Sequence, residues 1–173
     1  MSTLKEPNTD IYDEFVSYVQ SNQERFYRLA YSYVKNQQTS LDVIQNAIYN
    51  GLRSIDSLKD PSYMKTWFYR ILVNASLDEI RKNKRILSTD PFEMPEEIFQ
   101  ESIIRDEIMD LYQALERLNP DMKTIVILRY FEDMKLQEIA SILDLNISTV
   151  KTRLYSALEK LKLQLKSEVF KDE

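Results

Sequence analysis

Two sets of polar side chains in this chain have the types and spacing to hydrogen-bond an extended, anionic or base-bearing ligand. The first lies in YMKTWFYRILVNASLDEIRKNKR, where Arg70, Asn74, Asp78, Arg81 and Arg85 recur at helical spacing as one narrow stripe, joined by Lys82 and Lys84. The second lies in ISTVKTRLYSALEKLK. Here Ser148, Thr149, Lys151, Thr152, Arg153, Tyr155 and Ser156 share one side of a helical wheel, with Lys160 and Lys162 beside them. Guanidinium and carboxamide groups make paired hydrogen bonds to base edges, short hydroxyls contact bases or phosphates, and lysines meet phosphates as point charges. Each set also has a plain structural reading. The first is equally a core helix whose basic end snorkels into solvent, and the second an ordinary amphipathic surface helix. Tyr155, an aromatic ring among polar neighbours, favours contact with a partner over mere solvation.

Other chemistry is excluded by what the 173 residues lack: there is no histidine, no cysteine, and only one glycine, Gly51. Imidazole and thiolate metal ligands, Ser-His triads and cysteine nucleophiles are therefore ruled out. Gly-rich phosphate loops and tight β-hairpins need glycines that are absent. No metal site or cofactor is expected, and no enzymatic activity. The N-terminus, MSTLKEPNTD, lacks the basic-then-apolar pattern of a signal peptide, and no apolar run reaches the roughly 18 residues of a membrane span. A soluble, cytoplasmic chain is the expectation.

The elements that must position these residues read as helices throughout. Ile11, Phe15 and Val19 mark a first amphipathic stretch, and Phe26, Leu29, Ala30, Tyr33 and Val34 a second that ends in Lys35-Asn36-Gln37-Gln38. A third is expected over residues 39–58, with Leu41, Ile44, Ile48, Leu52 and Ile55 as its apolar face and Asp42, Gln45, Asn46, Tyr49 and Arg53 exposed. Asp60-Pro61 stops it, since the residue before proline disfavours the α region. The fourth follows Ser62 to about Arg85 and is apolar almost all round, so it is expected to be buried on most sides, with its aromatic rings serving as core.

Composition then shifts. Ile86 to Glu101 reads ILSTDPFEMPEEIFQE, a proline-bearing acidic linker. Beyond it, Ile104, Ile108, Leu111, Leu115 and Leu118 predict a fifth helix ending near Asn119-Pro120, Met122–Phe131 a sixth, and residues 136–143 and 147–169 two more. The pattern predicts an all-α protein of two small helical domains, residues 1–86 and 101–173, joined by an acidic segment at 87–100.

Within the second domain, KLQEIASILDLNISTVKTRLYSAL has the shape of a helix-turn-helix. Leu136, Ile139, Ala140 and Leu143 face the core, Asp144 occupies the turn where a left-handed residue is wanted, and Asn146 is a good N-cap, with Leu145 placed to staple the entry. The net charge of −5 argues against a nucleic-acid partner until its distribution is read. Residues 61–85 carry six basic and two acidic side chains (+4), residues 86–116 one and nine (−8), and residues 147–166 five and one (+4). Two basic blocks flank an acidic spacer, and both polar stripes fall in the basic blocks.

These residues resemble a known family. FYRLAYSYVKN, LDVIQNAI and YMKTWFYRILVNASLDEIRK are similar to region 2 of bacterial RNA polymerase sigma factors of the extracytoplasmic-function (ECF) group. LNPDMKTIVILRYFEDMKLQEIASILDLNISTVKTRLYSALEKL is similar to their region 4. The resemblance implies that Asp42, Ile44, Gln45 and Tyr49 bind the clamp helices of the polymerase β′ subunit. It implies that the loop Ser57–Ser62 with Tyr63, Arg70, Asn74 and Asp78 recognises and helps open the promoter −10 element, with Arg81, Lys82, Lys84 and Arg85 on nearby phosphates. It implies that region 4 rests on the β flap and reads the −35 element through Ser148, Thr149, Lys151, Thr152, Arg153, Tyr155 and Ser156. The acidic linker corresponds in place to the connector that threads toward the polymerase channels, with Glu93, Glu96 and Glu97 imitating nucleic-acid charge. An anti-sigma factor, often membrane-anchored, is implied as inhibitor. Asn46 stands where the family often has Glu, and Ser156 where a basic residue is common.

A stand-alone helix-turn-helix regulator is the alternative. It accounts for residues 101–173 but leaves the exposed face around Asp42 and Gln45, and the stripe of the fourth helix, without a purpose. A carboxylate-bound metal enzyme would need acidic residues on facing helices, whereas here they concentrate in the linker.

Overall fold

A computed structural model describes residues 9–87 and 113–169, which divide into two compact units on either side of the Arg81–Lys82 bond. Leu87, the first residue of the expected linker at 87–100, is helical, and the rest of that linker lies outside the described residues, together with Ile104, Ile108 and Leu111. Helices make up both units, and no strand occurs among the described residues.

The first unit contains α1 (Thr9–Ser21), α2 (Gln23–Val34), α3 (Gln37–Arg53) and, as far as Arg81, α4 (Met64–Leu87). Lys35, in the left-handed conformation at φ 54°, closes α2 by donating its N–H to the Tyr31 carbonyl at 2.9 Å. One residue later the Asn36 carboxamide accepts from the Thr39 N–H at 2.8 Å and starts α3. Two consecutive polar residues thus end one helix and begin the next.

Phe15, Phe26, Phe68 and Tyr69 are buried at the centre of this unit. Their rings meet edge to face, Phe26 on Phe68 with centroids 4.9 Å apart and Phe15 on Phe68 at 5.3 Å. Edge-to-face pairs add about 0.5–1.5 kcal/mol each beyond their area burial. Phe68 and Tyr69 of α4 are core, as their spacing predicts, while Trp67 is half-buried.

The third helix differs from its expectation in two respects. It ends at Arg53 and is followed by a short 3-10 turn at Ile55–Ser57; at the junction the Ser54 hydroxyl and N–H both bond to the Asn50 carbonyl, at 2.7 and 3.1 Å. Its buried face is Ser40, Val43, Ile44, Ala47 and Gly51, while Ile48 and Leu52 are half-buried and Leu41 is exposed. Small side chains let this helix approach the aromatic core, and the larger aliphatics fall to its flanks. A Cβ placed on Gly51 would stand 2.8 Å from Phe15 Cζ, so glycine is required there by contact, not by backbone angle.

After the end of α4, the described residues of the second unit are helical at 113–116, followed by α5 (Pro120–Val126), a π-helical turn at Ile127–Phe131, α6 (Leu136–Leu143) and α7 (Ile147–Val169). Asn119 caps α5 by accepting from the Met122 N–H at 2.9 Å, with Pro120 in the first turn where its missing N–H costs nothing. Lys123 is carried inward on α5, and desolvation holds its ammonium below lysine's usual value of 10.5. Ile125, Leu128, Met134, Ile139, Ile142, Val150 and Ala157 fill the centre.

Candidate nucleic-acid interface

The helix-turn-helix forms from local signals that agree with one another. Glu138 accepts the Lys135 N–H at 2.7 Å and fixes the start of α6. Asp144 takes the left-handed conformation at φ 53°, and the next N–H, of Leu145, closes on the Ala140 carbonyl at 3.0 Å. Asn146 then caps α7, its Oδ1 accepting from the Thr149 N–H at 2.8 Å and the Thr149 hydroxyl at 2.9 Å. The turn at Asp144 and the Asn146 cap expected from the sequence are present, and the Glu138 cap on α6 adds to them.

Helix α7 buries Val150, Leu154, Ala157 and Leu161 and exposes Ser148, Lys151, Thr152, Tyr155, Lys160 and Lys162, with Tyr155 64% exposed. Thr149, Arg153 and Ser156 are half-buried and lie on the margin between these faces. The Thr152 hydroxyl donates to the Ser148 carbonyl at 2.9 Å, so it and Thr149 spend their protons inside the protein and present acceptor lone pairs outward. They suit a base amino group or a thymine methyl, while the lysines suit phosphates. Arg153 Nη1 donates to Asp121 Oδ2 at 2.8 Å, a bond spanning 32 residues of sequence.

On α4, Arg70, Asn74, Asp78 and Arg81 are exposed along one line, and Lys82 and Lys84 are exposed beyond them. At about 1.5 Å per residue the line from Arg70 to Arg81 runs roughly 16 Å, the length of about five stacked nucleotides of one strand. Asp78 and Arg81 pair at 2.9 Å with both side chains exposed, so each partly offsets the other's charge within the stripe. The side chain of Arg85 lies outside the described residues. The opposite sides of α4 bury Met64, Phe68, Tyr69, Leu72 and Val73, so the stripe is mounted on a rigid support.

The segment before α4 is held at both ends. Asp60 Oδ1 accepts the Ser62 N–H at 2.9 Å, and hydrogen bonds from the Ser62 amide and hydroxyl keep its carboxyl below the usual carboxylate value. Trp67 Nε1 donates to Ser57 Oγ at 3.3 Å, tying the loop to the helix. This arrangement presents Tyr63, 65% exposed, at the end of the Pro61–Tyr63 turn.

On α3, Asp42, Gln45, Asn46 and Tyr49 are exposed, and the Arg53 guanidinium stacks 5.5 Å from the centre of the Tyr49 ring. Ile44 is buried at 9% exposure, as its place on the expected apolar face of this helix predicts, and the exposed residues beside it are the ones open to a partner. Sequence reasoning passed over Asp60, although Asp before Pro-Ser is a turn-capping signal. It also passed over Asp121, for which no local signal exists. Among the described residues no group of acidic side chains is disposed to hold a metal ion, and no helix is long and apolar enough to cross a membrane.

These two polar faces coincide with two matched family regions. Residues 18–86 match Sigma-70 region 2, and residues 108–161 match Sigma-70, region 4. The chain belongs to the sigma-70 family of RNA polymerase sigma factors, within its extracytoplasmic-function group. It is 44% identical over 153 residues to the RNA polymerase sigma factor SigV of Bacillus subtilis (strain 168), covering 88% of this chain and 92% of that protein. It is 27% identical over 168 residues to the ECF RNA polymerase sigma factor SigW of the same organism, covering 89% and 90%. In fold it is similar to the sigma factor RpoE of Bartonella quintana, solved in complex with the anti-sigma factor NepR. The TM-score is 0.77 at 22% identity, over 88% of this chain and 97% of that one.

Proposed function

We propose that this chain is an alternative sigma factor that joins core RNA polymerase and directs promoter-specific transcription initiation in the cytoplasm. Residues 1–86 are the polymerase-binding and −10 domain, 87–100 an acidic connector, and 101–173 the −35 domain. Asp42, Gln45 and Tyr49 meet the β′ clamp helices. Tyr63, Arg70, Asn74 and Asp78 face the −10 element, while Arg81, Lys82, Lys84 and Arg85 neutralise phosphates. Region 4 rests on the β flap and reads the −35 element from α7 through Ser148, Thr149, Lys151, Thr152, Arg153, Tyr155 and Ser156. An anti-sigma protein restrains it, a partner of the kind found on the Bartonella quintana neighbour.

The observation that carries this reading is the presence, in one chain and in family order, of two exposed polar helix faces within the matched regions. A DNA-binding regulator needs only the second. Run-off transcription with purified core polymerase and a promoter library tests the proposal. Product that depends on the chain and on particular −10 and −35 sequences supports it. Tight, sequence-specific DNA binding without polymerase, and no promoter-specific product with it, refutes it in favour of the stand-alone regulator.

A further inference from the structure

We propose that Asp121 is a positioning residue that decides what Arg153 reads: held by Asp121 the arginine contacts a base edge, and released it contacts phosphate. The inference rests on the reading of α7 as the −35 helix. Arg153 is neither central in the exposed face of α7 nor part of its buried seam of Val150, Leu154 and Ala157. From the margin between them, a long side chain with several rotatable bonds reaches either the groove floor or the flanking backbone. An arginine held in one geometry gives up less side-chain entropy when it binds.

The geometry suits retention of the pair during readout. Asp121 Oδ2 engages Nη1 at 2.8 Å, and among the described residues this is the side-chain hydrogen bond that Arg153 makes. A guanidinium has five N–H donors in a planar fork, so Nη2 and Nε can still make a two-point contact with a guanine edge. The anchor is itself fixed, because Asp121 follows Pro120 at the start of α5, where the Asn119 cap sets the backbone. The carboxylate also offsets the charge of Arg153, which weakens sequence-independent attraction to phosphates. Asp121 thereby exchanges non-specific affinity for discrimination.

The test uses the full chain assembled with core polymerase and promoter fragments that differ at single −35 base pairs. Binding is measured across a salt series for the wild type, Asp121→Ala, Asp121→Asn, Arg153→Ala and the Asp121→Ala/Arg153→Ala double variant. Asp121→Ala is expected to lose about five- to tenfold in discrimination at one base pair, and to steepen the salt dependence by about one phosphate contact. Asp121→Asn keeps an acceptor and falls between it and wild type. In the Arg153→Ala background the Asp121 substitution adds nothing. The proposal is overturned if Asp121→Ala keeps discrimination within about twofold of wild type, or if its effect persists without Arg153. Should Arg153→Ala itself leave every −35 preference intact, the assignment of Arg153 falls and the proposal with it. Failure of the wild type to give any promoter preference instead refutes the function proposed above.

Discussion

Gly51→Ala sets two calculable effects against each other in α3. Replacing a mid-helix glycine by alanine favours the folded state by about 1 kcal/mol through backbone entropy. The added methyl would, however, stand 2.8 Å from Phe15 Cζ, 3.4 Å from its Cε1 and 3.5 Å from Phe68 Cδ2. Comfortable carbon contacts begin near 3.5 Å, so the Phe15 ring must retreat by about 0.7 Å. It has little room, being buried and packed edge-on against Phe68 at 5.3 Å and Trp67 at 5.6 Å. Overpacking of this kind costs about 1–3 kcal/mol, so the expected net effect is a loss of about 1 kcal/mol. For a unit of this size that lowers Tm by roughly 4–8 °C.

Trp67, the chain's one tryptophan, lies in this ring cluster, and its fluorescence during urea titration reports the first unit selectively. A second background sharpens the test. Phe15→Leu removes the offending Cζ, so Gly51→Ala made in that variant should stabilise, by up to about 1 kcal/mol. The change of sign is the diagnostic. Stabilisation in the wild-type background, or equal destabilisation in both, would refute the steric argument. Because α3 carries Asp42, Gln45 and Tyr49, the same displacement should weaken core polymerase binding in the single variant and not in the double.

How far the sequence reveals this molecule depends on the range over which each determinant acts. The turn at Asp144 and the caps at Asn36, Asn119 and Asn146 are fixed by neighbours within four residues, and these are legible; the end of α3 at Arg53, short of Asp60-Pro61, is not. The buried character of α4 is legible too, because an apolar majority around a helix admits one environment. The face of α3 is legible only in part: Ile44 and Ile55 are buried as their spacing predicts, Ile48 and Leu52 are half-buried and Leu41 is exposed. Val43, Ala47 and Gly51 are buried for being small, since the bulk is supplied by Phe15 and Phe68 from other helices. The Arg153–Asp121 bond was illegible because 32 residues and two turns separate its partners. Net charge misled only while it was averaged, since two +4 segments and a −8 segment sum with the rest to −5.

Three further outcomes are expected. Asn146→Ala removes the cap from α7 and should cost about 1 kcal/mol of stability in the second unit, measured by thermal unfolding followed by circular dichroism; an unchanged Tm would mean the first turn is held by packing alone. Asp42→Lys reverses the charge on the exposed face of α3 and should lower affinity for core polymerase in a pull-down titration while leaving the fold intact; undiminished binding would remove that face from the interface. Lys123 gives a pH signature whose sign follows from burial. Desolvation lowers its folded-state pKa below 10.5, so in the window beneath 10.5 the unfolded chain holds a proton that the folded chain has shed. The unfolded state then binds more protons, and stability rises with pH through that window. Lys123→Met has no such proton to exchange, so the stability of wild type relative to the variant should climb as pH is raised toward 10.5. Parallel stability curves for the two proteins over that range would show that the lysine ammonium pays no desolvation penalty in the core.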